Sequence, residues 1–163
     1  MSIRNDHLTP APTPLKPGDA APDFTLMDQD RKEWKLSEAV KKGDVVLCFV
    51  PLAFTGVCST EMGCITRDAR AWERKGATVV GISCDSFAAN KEWAEKEGYT
   101  HPILADMHRQ VCKAYGLYWP ELNVAQRGTY VIAKSPEGKG RVKHAEAREP
   151  SKAMDCGAVL QMV

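Results

Sequence analysis

The sequence predicts an α/β protein of three layers, in which helices cover both faces of a central mixed β-sheet. Three observations support this fold class. Apolar segments of strand length alternate along the chain with segments whose apolar residues repeat at helical spacing. Residues 45–50 are apolar at every position, which is typical of a strand covered on both faces. Residues 129–134 and 141–145 flank a Ser-Pro-Glu-Gly turn, which predicts an antiparallel hairpin in the sheet.

The N-terminal 17 residues are expected to form an extended, partly mobile arm. Its prolines exclude a helix or a central strand. They are Pro10, Pro12, Pro14 and Pro17. The domain itself is therefore expected to span residues 18–163, beginning near Gly18.

The remaining elements follow from periodicity and from turn residues. Residues 23–27 and 31–36 are expected to pair as a hairpin around a polar turn. Apolar residues at helical spacing predict a core-facing helix from Cys58 to Arg74. Further strands are predicted at 78–83 and 102–105, and further helices at 86–96, 108–115 and 151–162.

Length and charge limit the possible functions. A chain of 163 residues suits one domain that needs no metal or disulfide to hold its core. With 22 basic and 21 acidic side chains the formal charge is +1, which argues against nucleic acid or an anionic membrane as a partner. No apolar run approaches the roughly 18 residues of a membrane span. We therefore expect a cytoplasmic protein whose six cysteines are free thiols.

Cys58 is the candidate nucleophile. In open α/β sheets ligands bind beyond the carboxyl ends of the strands, and the strand ending at Val50 leads through a short loop to Cys58. At a helix N-terminus, unpaired amides and the positive end of the dipole favour thiolate over thiol. The helix terminus alone supplies too little energy to lower the pKa of the thiol far enough, so a nearby cation is needed. Arg127 is a candidate for that cation. By local pattern alone, inert packing of a buried cysteine is an equally good explanation.

Four segments, in order and within roughly residues 15–160, resemble the peroxiredoxin family. They are Lys16-Pro-Gly-Asp-Ala-Ala-Pro-Asp-Phe24, Pro51-x-x-x-Thr55-x-x-Cys58, Gly81-Ile-Ser-Cys-Asp-Ser86 and Arg127-Gly-Thr-Tyr-Val-Ile132. The second segment is most similar to the one-cysteine alkyl hydroperoxide reductase E type, and less like the typical two-cysteine type. The resemblance implies a thioredoxin-like fold and the reduction of hydrogen peroxide and organic hydroperoxides, without cofactor or metal.

Carried over by position, the resemblance implies a role for each site residue. Cys58 would be the peroxidatic cysteine, and Arg127 would stabilise its thiolate and the peroxide. The hydroxyl of Thr55 would position both, and Pro51 would shield the thiolate. The products would be a sulfenic acid at Cys58 and water or an alcohol. Glu61, one turn after Cys58, either orients Arg127 or is simply favoured by the helix dipole.

The sequence leaves open which thiol restores Cys58. On an intact helix Cys64, six residues later, points away from Cys58. The other cysteines lie in a strand core (Cys48), at a strand end (Cys84) and on later helices (Cys112 and Cys156). The alternative is an external reductant, either a thioredoxin-like protein or a low-molecular-weight thiol.

Two other functions are alternatives to the peroxidase. A thiol–disulfide oxidoreductase would share the fold, but position 55 is Thr where a Cys-x-x-Cys motif would need cysteine. Six cysteines and four histidines suggest a metal-binding or redox-sensing module, yet no Cys-x-x-Cys or His-x-x-x-His spacing occurs. His101, His108 and His144 are expected at the surface or an interface. By analogy with the family we also expect a homodimer.

Overall fold

A seven-stranded mixed sheet forms the centre of the protein in a computed structural model that describes residues 2–163. The strands are β1 (Thr25–Met27), β2 (Glu33–Lys35), β3 (Val45–Phe49), β4 (Thr78–Ser83), β5 (Ile103–Ala105), β6 (Tyr118–Trp119), β7 (Val124–Ala125), β8 (Gly128–Ile132) and β9 (Val142–Ala147). Their order in the main sheet is β2-β1-β5-β4-β3-β8-β9, while β6 and β7 pair separately. β3 is parallel to β4 and antiparallel to β8, which confirms the mixed sheet.

Helices cover the sheet on both faces. They are α1 (Leu36–Ala39), α2 (Gly56–Arg67), α3 (Ala69–Arg74), α4 (Phe87–Glu97), α5 (Gln110–Ala114) and α6 (Cys156–Leu160). Two apolar cores result, one holding Leu47 and Tyr115, the other holding Cys48 and Met62. The predicted three-layer, thioredoxin-like fold is therefore confirmed. Within residues 2–163, no helix has the length and apolar character needed to cross a membrane.

β3 links the two cores because its side chains alternate between the faces of the sheet. All five of its residues are buried, and each fully buried aliphatic side chain contributes about 1.5–3 kcal/mol. Helix α2 lies close to the sheet because position 81 is glycine: a Cβ there would lie 2.6 Å from Met62 Sδ. The sheet and this close contact together fix where α2 begins.

Two predicted helices differ from those observed. The helix expected from Cys58 to Arg74 starts at Gly56 and breaks at Asp68, where φ is −95° and ψ is 15°. The final helix, expected over 151–162, covers only Cys156–Leu160. The carboxylate of Asp155 caps it by accepting from the Ala158 amide at 3.0 Å. The chain before this cap is free for other contacts. Helix α1 and the small β6–β7 sheet were not predicted.

The N-terminal arm is extended, but it packs against the domain rather than standing away from it. Asn5 is buried and exchanges two hydrogen bonds of 3.0 Å with the backbone of Thr25. The Leu15 amide donates to the Tyr130 hydroxyl at 2.9 Å, and Leu8 also packs on the first core. These contacts differ from the expectation of a partly mobile arm. The division at residue 18 stays a prediction.

His101 is buried within the chain, and the prediction that it lies at the surface or an interface is wrong. Its Nδ1 lies 3.0 Å from the Thr66 hydroxyl and its Nε2 lies 3.2 Å from Met62 Sδ. Both partners belong to α2. The imidazole therefore fastens α2 to the loop before β5.

Candidate active site

A tight loop between β3 and α2 places Cys58. Pro51 is buried at the start of this loop, and Phe54 has a φ of 65°, in the left-handed region that side chains other than glycine rarely adopt. Two contacts hold the turn: the Ala53 amide donates to Asp85 at 3.0 Å, and the Phe54 ring lies 6.2 Å from that of Trp93. As a result Cys58 is the third residue of α2 and is 0% exposed.

Arg127 brings a guanidinium to the sulfur. Because Gly128 pairs with Phe49, the residue before β8 lies beside the end of β3 and the loop that follows it. Nη2 of Arg127 lies 3.4 Å from Cys58 Sγ, and Nε donates to the Pro150 carbonyl at 3.0 Å. Burial lowers the pKa of Arg127, but the neighbouring Glu61 and Cys58 raise it by more than burial lowers it. The net pKa is above the ordinary value, so the guanidinium stays charged.

Glu61 connects two arginines. Its carboxylate is 0% exposed and pairs with Arg127 through one oxygen and with Arg148 through the other. The Met154 amide donates to the second oxygen at 2.9 Å. Of the two explanations open for Glu61, these contacts favour the orientation of Arg127 over a dipole effect.

Arg148 is a site residue that the sequence analysis missed. It donates to the Thr129 hydroxyl at 2.7 Å and to the Lys152 carbonyl at 3.2 Å. The register of the β8–β9 hairpin sets Gly128 opposite Ala147, so Arg127 and Arg148 face each other across the hairpin. The predicted strand ended at residue 145; extending it by three residues would have revealed the second arginine.

The buried charges at this site do not balance. Two buried guanidiniums face one buried carboxylate, and the more exposed Glu146 lies 3.5 Å from Arg148. Arg127 is therefore the buried cation that is complementary to an anion at the Cys58 sulfur. The neighbouring Cys48 differs: burial, and then the charge of Glu61, raise the pKa of its thiol well above the ordinary value. Of these two cysteines, only Cys58 contacts a guanidinium.

Thr55 occupies the N-cap position of α2, with φ −96° and ψ 155°. Its hydroxyl donates to the Leu52 carbonyl at 2.8 Å, so in this conformation it binds the loop backbone. The Thr55 side chain makes no capping hydrogen bond to α2. The first amides of a helix have no partner within it, and Cys58 lies in this first turn.

Four of the other five cysteines form two pairs, and the expectation of six free thiols is wrong. Cys64 and Cys156 are joined by a disulfide, with their Cα atoms 6.2 Å apart. Cys84 and Cys112 are free and buried, with sulfurs 3.9 Å apart. Both belong to the core on the face of the sheet opposite Cys58, so neither faces it.

The Cys84 pair also lies near a carboxylate. Cys84, Asp106 and Cys112 place their ligand atoms within 4.8 Å of one another. Three such groups fall short of the four ligands of a structural zinc site. The carboxylate of Asp106, in the loop before α5, accepts instead from the amides of Val111 and Cys112 in that helix, at 3.2 and 2.8 Å.

Comparisons with known proteins agree with this geometry. Residues 17–144 match the profile of the AhpC/TSA family. The chain is 34% identical over 143 residues to alkyl hydroperoxide reductase E of Mycobacterium tuberculosis, covering 86% of the chain and 91% of that protein. It is 33% identical over 156 residues to peroxiredoxin-2 of Pongo abelii, covering 90% and 85%. The crystal structure of peroxidoxin BcpB from Mycobacterium tuberculosis superposes with a TM-score of 0.80 at 29% identity, covering 91% of this chain and 96% of that one.

Proposed function

The chain belongs to the AhpC/TSA family of peroxiredoxins and is a thiol-dependent peroxidase, and on this premise we propose that Cys58 is its peroxidatic cysteine. Arg127 stabilises the thiolate, Thr55 positions the peroxide and Pro51 shields the sulfur. The observation that carries the proposal is the 3.4 Å contact between Arg127 Nη2 and Cys58 Sγ. The family assignment favours this function over a thiol–disulfide oxidoreductase or a binding module.

The chemical step begins with attack of the Cys58 thiolate on the terminal oxygen of a hydroperoxide, in line with the O–O bond. That bond breaks, and the sulfur becomes a sulfenic acid. The departing oxygen takes a proton and leaves as water or an alcohol. Donors from Arg127 and from the first amides of α2 stabilise the charge that develops on this oxygen.

Glu61 and Arg148 support this step without touching the reacting atoms. Arg127 must bind Glu61, Cys58 and the Pro150 carbonyl at once, and its planar fork of donors suits such fixed partners. Glu61 is itself held by Arg148 and the Met154 amide. The guanidinium is thus in place before substrate binds.

Stopped-flow mixing of reduced protein with less than one equivalent of hydrogen peroxide tests the proposal. Trp93 is a natural reporter, since its indole donates to the hydroxyl of Ser59, the residue after Cys58. We expect a fast fluorescence change as each peroxide oxidises one Cys58 thiol. A rate no faster than that of free cysteine would refute the assignment.

The substrate and the reductant follow from the family in outline: a hydroperoxide and a thiol. We propose that organic hydroperoxides are accepted as well as hydrogen peroxide. Leu52 and Phe54 on the loop are 40% and 48% exposed, and they offer an apolar surface to an organic substituent. A rate with tert-butyl hydroperoxide far below that with hydrogen peroxide would contradict this.

We further propose a thioredoxin-like protein or a low-molecular-weight thiol as reductant. A cytoplasmic location stays a prediction.

A homodimer is proposed as well. The proposal rests on analogy with the family, whose members commonly form pairs. Light scattering at working concentration is expected to give twice the mass of the 18.0 kDa chain. A monomeric mass across the concentration range would refute the dimer.

A further inference from the structure

The disulfide between Cys64 and Cys156 joins the site helix to the segment that completes the site. Cys64 lies on α2, and Cys156 is the first residue of α6. Just before Cys156, residues 148–154 supply contacts to Glu61 and Arg127. Cys58, Cys64 and Cys156 all contact the same apolar core, on one face of the sheet.

We propose that Cys64 and Cys156 form a redox-active dithiol that takes over the oxidation of Cys58, with Cys156 as the resolving thiol. The inference rests on the proposed function of Cys58. It accounts for the oxidation states in the structure, where Cys58 is a free thiol while Cys64 and Cys156 are joined. This is the state that remains once Cys58 has been regenerated at the expense of the dithiol.

The transfer takes two steps after peroxide has oxidised Cys58 to the sulfenic acid. The Cys156 thiol attacks the Cys58 sulfur, the S–O bond breaks, and water leaves with the thiol proton, forming a Cys58–Cys156 disulfide. The Cys64 thiolate then attacks the Cys156 sulfur, forming the Cys64–Cys156 disulfide and releasing Cys58 as a thiolate. An external dithiol finally reduces Cys64–Cys156 and is itself oxidised to a disulfide.

Helix geometry selects Cys156 over Cys64 for the first step. Cys64 lies six residues after Cys58 on α2, which is about 9 Å along the axis and on a different side, so it reaches Cys58 only if α2 unwinds. Cys156 begins a helix of five residues that follows an irregular segment. Pro150 and Lys152 in that segment border a cavity of about 500 Å³, which leaves the segment room to shift.

Accessibility favours the same route. Cys58 is 0% exposed, so its sulfur is reached only after a local shift, and a small peroxide needs a smaller shift than a protein reductant does. Of the two disulfide partners, Cys64 is partly buried and Cys156 is buried, so Cys64 is the one nearer to solvent. The dithiol thus moves the oxidation from the enclosed Cys58 to a pair of cysteines of which one is partly exposed. The Cys84–Cys112 pair does not serve this role, because it lies beyond the sheet.

The test compares wild type with Cys64→Ser and Cys156→Ser. Each full-length protein is reduced with dithiothreitol, freed of reductant, given one equivalent of hydrogen peroxide, alkylated and mapped by mass spectrometry. We expect Cys64–Cys156 in wild type, a trapped Cys58–Cys156 disulfide in Cys64→Ser, and a persistent Cys58 sulfenic acid in Cys156→Ser. The two variants lose the same cross-link, so each controls for the structural effect of the other.

Three outcomes would overturn the relay: equal sulfenic acid in both variants, a persistent sulfenic acid beside free Cys64 and Cys156 in wild type, or a Cys64–Cys156 disulfide that dithiothreitol does not reduce in the folded protein. All three leave the reaction of Cys58 with peroxide intact. Failure of the proposed function gives a different result, since Cys58 then stays a thiol in all three proteins.

Discussion

Cys58→Ser is expected to abolish peroxide reduction, lowering the rate constant by on the order of 10⁴-fold or more, as for removal of other enzymatic nucleophiles. A serine hydroxyl has nearly the shape of the thiol but is not ionised at neutral pH, so it cannot attack the peroxide oxygen. Because the site is buried and the change is small, the fold should survive. Stopped-flow fluorescence and a count of residual thiols measure the loss.

Cys84→Ser is the matched control for this experiment. It makes the same chemical change at another buried cysteine, on the opposite face of the sheet, and is expected to keep the wild-type rate. If Cys58→Ser still consumed peroxide at the wild-type rate, another thiol would be the nucleophile. Parallel losses in both variants would point instead to general damage to the core.

Arg127→Lys is expected to lower kcat/KM for hydroperoxide by about 10²–10³-fold, the cost of removing one preorganised donor to developing negative charge. The ammonium keeps the charge but not the planar fork, so it cannot bind Cys58, Glu61 and the Pro150 carbonyl at fixed angles together. The rate of sulfenic acid formation, measured in a single turnover, isolates this step from recycling.

Arg70→Lys provides the control, because Arg70 is exposed on α3 and its replacement should leave the rate unchanged. Circular dichroism spectra of both variants should match wild type. If Arg127→Lys retained full activity, Arg127 would contribute only its charge. The orienting contacts of Glu61 would then have no catalytic role.

Much of the fold could be predicted because its signals are local. The apolar run at 45–50 and the hairpin turn after residue 134 identify buried and paired strands without knowledge of the rest. The pairing of Cys58 with Arg127 came from family resemblance, since 69 residues separate them and only the β3–β8 register brings them together. Local pattern alone left Cys58 equally consistent with inert packing.

The missed features depend on long-range geometry. Arg148 enters the site through the register of β9, one short extension beyond the predicted strand. The Cys64–Cys156 disulfide spans 92 residues, and it requires residues 148–154 to follow an irregular path over the site. Helical periodicity in the C-terminal residues favoured a long helix there, but the contacts to Glu61 and the cap at Asp155 prevent one. No local pattern encodes that competition.

The imidazole of His101, packed against α2, makes the stability of the site helix depend on proton binding. Burial lowers the pKa of His101 from 6.5 to about 4. Between these pH values the imidazole is protonated in the unfolded chain but neutral in the folded chain. Its stabilising contribution is complete above pH 6.5 and is lost as the pH falls toward 4. Burial raises the pKa of Asp106 to about 6, which acts in the opposite sense over much of this range.

Subtracting the unfolding free energy of a His101→Asn variant from that of wild type isolates the contribution of the imidazole, because Asp106 is present in both proteins. Between about pH 7 and pH 5, wild type should lose about 2 kcal/mol of unfolding free energy relative to the variant. Denaturant titrations at the two pH values measure this difference, and parallel changes in the two proteins would contradict it. Mild acid therefore lowers the stability of the fold through an imidazole that packs on α2, the helix that carries Cys58.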